Sequence, residues 1–381
     1  MKRTFFLSLI SLFILGVQCA FSANRYDIYL LTCSSGPEPY SSWGHSAIRV
    51  VDNQNLSDLT YNFGIFDFET ENFYWKFLKG NLLYQLGFHN TSDFKSAYIK
   101  EGRQIIEQKL DITDNSKIKI VNRLNYLYLP ENRYYCYDFV RKNCTTELRD
   151  LIFSNISSDF HNKETSMTYR GLINRYLTKM PWTEFGINLL LGASLDKKID
   201  TYQSLFLPDY LCSQLNDVRI DGKYIVTHHK VINQVNKKKK ELSLFSPIVI
   251  FFIILIFVIL IDSKKLRALL FLFIGIAGLF LLAVWAVTDR TEFQNNLNLL
   301  WCNPLYIISA LMLIFNALKK QQMIWTSFMI LLIIVLVALW ITNVQNFDTA
   351  IIPLLLVLTY LNLKIIYPHF LNIKISRKLQ L

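Results

Sequence analysis

Two side chains in this sequence could do chemistry together, a thiol and an imidazole. Cys144 lies in the run Asn143-Cys144-Thr145-Thr146-Glu147. There Asn143 reads as a helix N-cap and Cys144 as a residue of the first turn. A thiol at that position sees the positive end of the peptide dipoles, which stabilises its thiolate and lowers its pKa. His45 follows the turn-like stretch Tyr40-Ser41-Ser42-Trp43-Gly44 and opens the alternating run Ser46-Ala47-Ile48-Arg49-Val50. Its ordinary pKa near neutrality suits it to take and return the proton of such a thiol, giving a Cys–His nucleophile pair. The two must meet in space, not in sequence, so about one hundred intervening residues are no obstacle. Taken singly, each has a plainer reading: a buried core thiol for Cys144 and a hydrogen-bonded surface residue for His45. Their combination, in a chain with 6 histidines, brings the catalytic reading level with the structural one.

The elements that must position this pair are legible as patterns. Strand-like runs cover residues 27–32, 46–51, 61–65, 82–88 and 103–110, and helical periodicity covers 115–128, 145–153 and 169–177. Asp221-Gly222 between alternating runs predicts a late hairpin, and His228-His229 is read as an exposed part of it rather than a metal site.

Composition sets the surroundings. The 381 residues are 52% hydrophobic but only 18% charged, with mean hydropathy +0.26. The charge deficit points to a chain partly solvated by lipid and excludes disorder. The net charge of +11 does not argue for nucleic acid, because the basic residues collect at the edges of apolar stretches. Six cysteines without CxxC or Cys/His ligand spacing are too sparse for a disulfide framework or a structural zinc site. Whether Cys33 and Cys136 pair is left open.

Three domains are expected. Residues 1–23, with Lys2-Arg3, an apolar run and Ala20-Phe21-Ser22-Ala23, have the layout of a secretory signal peptide. Residues 24–246 form an exported globular domain. Residues 247–381 carry apolar spans at 247–261, 266–287, 304–318, 324–341 and 350–367, each near the length that crosses a bilayer. With the domain outside, Lys264, Lys265, Arg267, Lys319, Lys320, Lys364, Lys374, Arg377 and Lys378 fall on the cytoplasmic side, as the positive-inside rule requires. The lysines of 237–240 break that pattern and read as a solvated linker.

A histidine on an early strand followed by Asn-Cys at a later helix start resembles the circularly permuted papain-like (NlpC-type) fold. The detailed text resembles the Lnb-type lipoprotein N-acyltransferase family. The matching stretches are 41–49, 61–68 (YNFGIFDF), 73–86 (FYWKFLKGNLLYQL) and 132–150, with weaker matches at 182–196 and Phe206-Leu207-Pro208. The resemblance implies an α+β exported domain of the permuted papain-like type followed by a five-helix transmembrane region. It implies Cys144 as nucleophile and His45 as general base. A third group should hold the imidazole in its useful tautomer. Asn62 on the next strand is the first choice, and Asp67 and His89 are alternatives. The Cys144 backbone N–H is a candidate oxyanion donor, and Arg49, Arg141 and Tyr137 are candidate wall residues. The segment 288–301 lacks a histidine near Arg290, which relatives tend to carry, and reads as an interfacial loop anchored by Trp301.

The activity so implied is transfer of an acyl chain from a lipid ester, the sn-2 ester of a diacylglyceryl lipoprotein, through a Cys144 thioester to the lipoprotein's terminal amine. No cofactor or metal is called for. The partners are membrane lipids and diacylated lipoproteins, and the location is the bacterial inner membrane with the catalytic domain outside the cytoplasm. Two other readings stand beside it. A membrane-anchored cysteine hydrolase, such as a peptidoglycan peptidase or amidase, would use water where the transferase uses an amine. A non-catalytic interaction module would be indifferent to Cys144.

Overall fold

The computed structural model describes residues 25–234, 245–261 and 263–367. The expected signal peptide (1–23) and the lysine run 237–240 lie outside the described residues. Two compact units emerge. Residues 25–73, 81–165 and 200–234 make one, and residues 74–80, 166–199, 245–261 and 263–367 make the other.

The first unit is built on a seven-stranded sheet. Its strands are β1 (Tyr26–Cys33), β2 (His45–Asp52), β3 (Ser57–Ile65), β4 (Leu83–Asn90), β5 (Ile105–Leu110), β6 (Tyr134–Cys136) and β7 (Val226–Ile232), in the spatial order β7-β5-β1-β2-β3-β4-β6. All neighbours are antiparallel. The alternation read in the sequence matches the two faces. Ile28, Leu30, Ile48, Val50, Tyr61, Phe63 and Leu86 point into one core, and Leu31, Cys33, Ala47 and Ile105 into a second. The second core is closed by Phe94 of α1 (Thr91–Lys100). The first is closed by α2 (Asp114–Tyr128), α3 (Cys144–Phe153) and α4 (Pro208–Asp217) through Ile120, Leu124, Leu148, Ile152, Leu211 and Leu215. The i, i+4 spacing of Leu148 and Ile152 fixes which face of α3 meets the sheet. The Asp221-Gly222 turn does join a small hairpin, Arg219–Ile220 with Lys223–Tyr224, using positive φ at both turn residues. His228 and His229 lie beyond it, exposed on β7 opposite Lys109 and Gln108 of β5.

The second unit holds five apolar helices: α5 (Pro247–Leu260), α6 (Lys264–Val287), α7 (Leu305–Ile314), α8 (Lys319–Ile341) and α9 (Ile351–Ile366). Among the described residues, three segments are long and apolar enough to cross a membrane: α6, α8, and Leu297–Ile314, which includes α7; α5 and α9 are shorter. Many large apolar side chains of these helices face outward, among them Phe273, Phe280, Ile324 and Ile334. That is the arrangement expected of lipid-facing positions. Inside the bundle Phe271 stacks on Tyr306 with ring centroids 5.2 Å apart. At Gly278 a Cβ would come within 2.5 Å of Asn303 backbone atoms, so only glycine permits that close approach.

Segments from the extramembrane part of the sequence belong to this unit. In the helix Pro181–Leu190, Trp182 Nε1 donates to the Phe245 carbonyl (2.6 Å). Trp182 and Phe185 pack against Phe251 of α5. Asn298 Nδ2 donates to the Asn188 carbonyl (3.0 Å), and Gln345 Oε1 accepts the Leu297 N–H (2.9 Å). The short helix Phe73–Lys79 is tied to the end of α6: the Asp289 N–H donates to the Lys79 carbonyl (2.9 Å), and Arg290 Nε to that of Phe77 (3.2 Å).

Candidate active site

Asn143 sets the start of α3. Its side-chain oxygen accepts the N–H groups of Thr145 (2.8 Å) and Thr146 (2.9 Å), while Thr146 Oγ1 accepts the Asn143 N–H (2.8 Å). This reciprocal cap satisfies donors that a helix leaves open at its first turn. Asn143 Nδ2 is also consumed, by the carbonyls of Phe139 (2.7 Å) and Phe206 (3.0 Å). The cap is therefore immobilised on both sides, and Cys144 is fixed as the first helical residue. Upstream, Asp138 bridges to Lys142 backbone to backbone, and its carboxylate accepts the N–H groups of Val140 and Arg141, shaping the approach.

His45 is the first residue of β2, directly after Gly44, whose φ of 79° turns the chain into the strand. Packing of α3 on β2 closes the sequence gap. Ser46 Oγ and Thr145 Oγ1 are 3.1 Å apart and hydrogen-bonded in the interior. The His45 ring and the Ser46 N–H are neighbours of the Cys144 sulfur that act on its charge. On its other side, Nε2 of His45 hydrogen-bonds Oδ1 of Asn62, in β3. With Nε2 so engaged, Nδ1 is the ring nitrogen left for the thiol. The imidazole also lies parallel to the Tyr98 ring. The structure thus brings Cys144, His45 and Asn62 together.

The other sequence candidates lie elsewhere. Asp67 accepts the Glu69 N–H in an exposed turn (2.9 Å), and His89 is exposed on β4 opposite Thr60. Arg49 is held by both oxygens of Asp58 (2.7 and 2.6 Å) and by Glu107 (2.9 Å) in an ion cluster. Arg141 pairs with Asp138 (3.4 Å), and Tyr137 stacks on Tyr84 with centroids 4.5 Å apart. Cys33 and Cys136 are both free thiols, the first buried and the second exposed.

Residues 17–175 match the family model of the Lnb N-terminal periplasmic domain, and residues 237–370 match that of the Lnb transmembrane domain. This chain belongs to the Lnb family. No curated protein and no solved structure matches it. An Lnb chain with both parts is a membrane protein whose N-terminal domain lies outside the cytoplasm.

The electrostatics of this Lnb site favour an ionised thiol. Burial pushes the Cys144 pKa up. The His45 charge and hydrogen bond, the Ser46 N–H and the Thr145 hydroxyl outweigh it and bring the value down to about 7. For His45, burial disfavours the charged ring, yet the sulfur's charge, its hydrogen bond and Asn62 together raise the pKa. The two shifts are complementary: each group stabilises the charged form of the other.

Asn62→Leu tests the acceptor behind the ring. Losing Oδ1 lowers the His45 pKa and lets the ring turn, so the thiol loses part of its stabilisation. The midpoint of Cys144 alkylation by iodoacetamide should move up from about 7, and turnover should fall by about 100-fold. An unchanged alkylation profile would remove Asn62 from the site.

Sequence reading missed three groups here: Ser46, Thr145 and Tyr135. The first two adjoin the residues it chose. Tyr135 stands two places before the Tyr137 it picked, on the same aromatic run, and its buried hydroxyl lies beside Gly64, as does the Cys144 Cβ.

Proposed function

We propose that this chain is an envelope acyltransferase that moves an acyl chain from a lipid ester to the N-terminal amine of a lipoprotein. Its domain has the permuted papain-like arrangement, and residues 1–23 are a cleaved signal peptide. All five apolar helices span the inner membrane, with a locally thinned bilayer around α5 and α9. The observation that carries the reading is the pairing of Cys144, at a helix start, with His45, whose ring is hydrogen-bonded to Asn62.

The chemistry follows from those atoms. The Cys144 thiolate attacks the ester carbonyl of the diacylglyceryl group, at sn-2, and forms a tetrahedral oxyanion. Collapse breaks the C–O bond, and the imidazolium of His45 hands its proton to the departing glycerol oxygen. The acyl chain is then a thioester on Cys144. The lipoprotein's α-amine attacks this thioester and gives its proton to His45. The C–S bond breaks, the thiolate returns and an amide is left. No ATP is required, because an ester has become a more stable amide through a thioester. The membrane helices hold enzyme and lipid substrate in the same two-dimensional phase, which raises their effective concentration.

The test is incubation of the full chain in membranes with a synthetic diacylated lipopeptide, followed by mass spectrometry. Transfer keeps the total acyl count and places one chain on nitrogen. An acid-quenched sample should also carry one acyl mass on the peptide containing Cys144. Free fatty acid with no N-acylation, or cleaved muropeptides when peptidoglycan is supplied, would replace transfer by hydrolysis.

A further inference from the structure

We propose that the Tyr135 hydroxyl is a second oxyanion donor, acting with the Cys144 backbone N–H on the tetrahedral intermediates of acyl transfer. This rests on the thioester reading above. Tyr135 sits in β6, opposite Tyr84 of β4. Its ring is fixed by an edge contact with Phe63 and by the Lys142 ammonium 5.5 Å from its centroid. The hydroxyl is buried and, among the described residues, has no hydrogen-bond partner. Buried tyrosine hydroxyls normally find one. An orphan donor beside a nucleophile is the condition of a group whose partner arrives with the substrate.

The neighbouring backbone makes room for that partner. The pairing of β3 with β4 slips by one between Asn62 and Ile65. Within this bulge Gly64 takes φ 92°, a value that side chains with a Cβ rarely adopt. A Cβ built there would touch the Cys144 Cβ at 3.8 Å and the Tyr135 hydroxyl at 3.9 Å. The Cys144 side chain, at its Cβ, and the Tyr135 hydroxyl therefore border the same small space beside Gly64, on the strand that carries Asn62. The second donor is given by helix geometry. Asn143 spends its oxygen on Thr145 and Thr146, while the N–H of the first helical residue has no carbonyl within the helix to bond. Burial also raises the Tyr135 pKa, so the hydroxyl keeps its proton wherever the thiol is ionised.

In the first half-reaction the ester carbonyl oxygen becomes O⁻ as the S–C bond forms, and the Tyr135 O–H hydrogen-bonds that oxygen without transferring its proton. The same contact recurs when the amine attacks the thioester. Such a donor stabilises the intermediates and leaves the thiol's ionisation untouched.

The experiment compares wild type and Tyr135→Phe, each as full chain in membranes with the synthetic lipopeptide. The expected result is a fall in kcat of about 100- to 1000-fold with KM little changed, slower single-turnover formation of the Cys144 acyl-thioester, and an iodoacetamide profile still centred at about 7. If the wild type forms no thioester, the reading underneath fails and this inference falls with it. If the wild type forms it and Tyr135→Phe does so at the same rate, the inference alone is wrong. A Tyr135→Phe chain whose alkylation profile has moved would show a packing role for the ring, and that also overturns it.

Discussion

Cys144→Ala is expected to abolish transfer and the acyl adduct together, and His45→Ala to lower turnover by about 1000- to 10,000-fold. The two variants differ in what they leave. Without the sulfur there is nothing to carry the acyl group. Without the ring the sulfur remains, but the largest influences that offset its burial are gone. Only the Ser46 N–H and the Thr145 hydroxyl then oppose desolvation. The alkylation midpoint should rise from about 7 to the ordinary thiol value of 9.0 or beyond. The sign for the intact enzyme follows from the same shifts. A lowered thiol pKa makes the nucleophile available as pH rises through about 7. A raised imidazole pKa keeps the proton needed by the leaving oxygen on His45. Turnover should therefore rise through neutrality and fall again on the alkaline side, where the imidazolium is lost. These limbs belong to the pair rather than to either residue. A His45→Ala chain alkylated with the wild-type pH profile would show that the ring does not govern the thiol, and the mechanism would fail.

Legibility in the sequence followed the strength of local pattern. β1 and β2 stand out as apolar runs because both their faces are covered, Ile28 and Leu30 on one and Leu31 and Cys33 on the other. Asn143 and Thr146 announce a helix start through side chains that bond the backbone of the first turn. Asn62 was within reach of sequence reasoning because it lies on the strand after His45. Tyr135 was not, for two physical reasons. β6 has three residues, too few to show a period. Its hydroxyl also meets the thiol's space only because a bulge at Gly64 opens it, and register is a property of pairing partners. The same limit hid the pairing of β7, whose partner β5 lies more than a hundred residues earlier. Hydropathy found all five apolar helices but is blind to what packs on them. The attachment of 181–196 to 288–303 is made by polar and backbone groups such as the Gly192 N–H with the Glu292 carbonyl (2.8 Å) and Ser194 Oγ with that of Thr291 (2.9 Å).

The 188–196 side of that attachment is held by the buried cation of Arg170, and Arg170→Ala should destabilise the second unit by about 3–5 kcal/mol. Arg170 is 2% exposed. Nε reaches both oxygens of Asp196 at 3.0 Å, and the remaining nitrogens reach Asn188 Oδ1 (3.1 Å) and the carbonyls of Leu191 (3.1 Å) and Gly192 (2.9 Å). Truncation leaves a buried carboxylate without its counter-charge, and leaves the Leu191 and Gly192 carbonyls with only their longer bonds, from Gln345 Nε2 (3.5 Å) and the Leu195 N–H (3.4 Å). Asn346 also donates to Asp196, which argues for the lower end of the range. Arg170→Lys should recover only part, because a point charge cannot serve acceptors spread over a planar fork. The origin of the loss can be isolated with the double variant Arg170→Met with Asp196→Leu. Removing both charges abolishes the orphan, so most of the stability should return even though more hydrogen bonds are gone. Thermal unfolding in detergent, followed by near-ultraviolet dichroism, orders the variants. If the double variant is as unstable as Arg170→Ala, the stranded carboxylate is not the cause. The cost would then lie in the lost bonds to the Leu191 and Gly192 carbonyls, because both variants break the bonds that tie this loop to its helix.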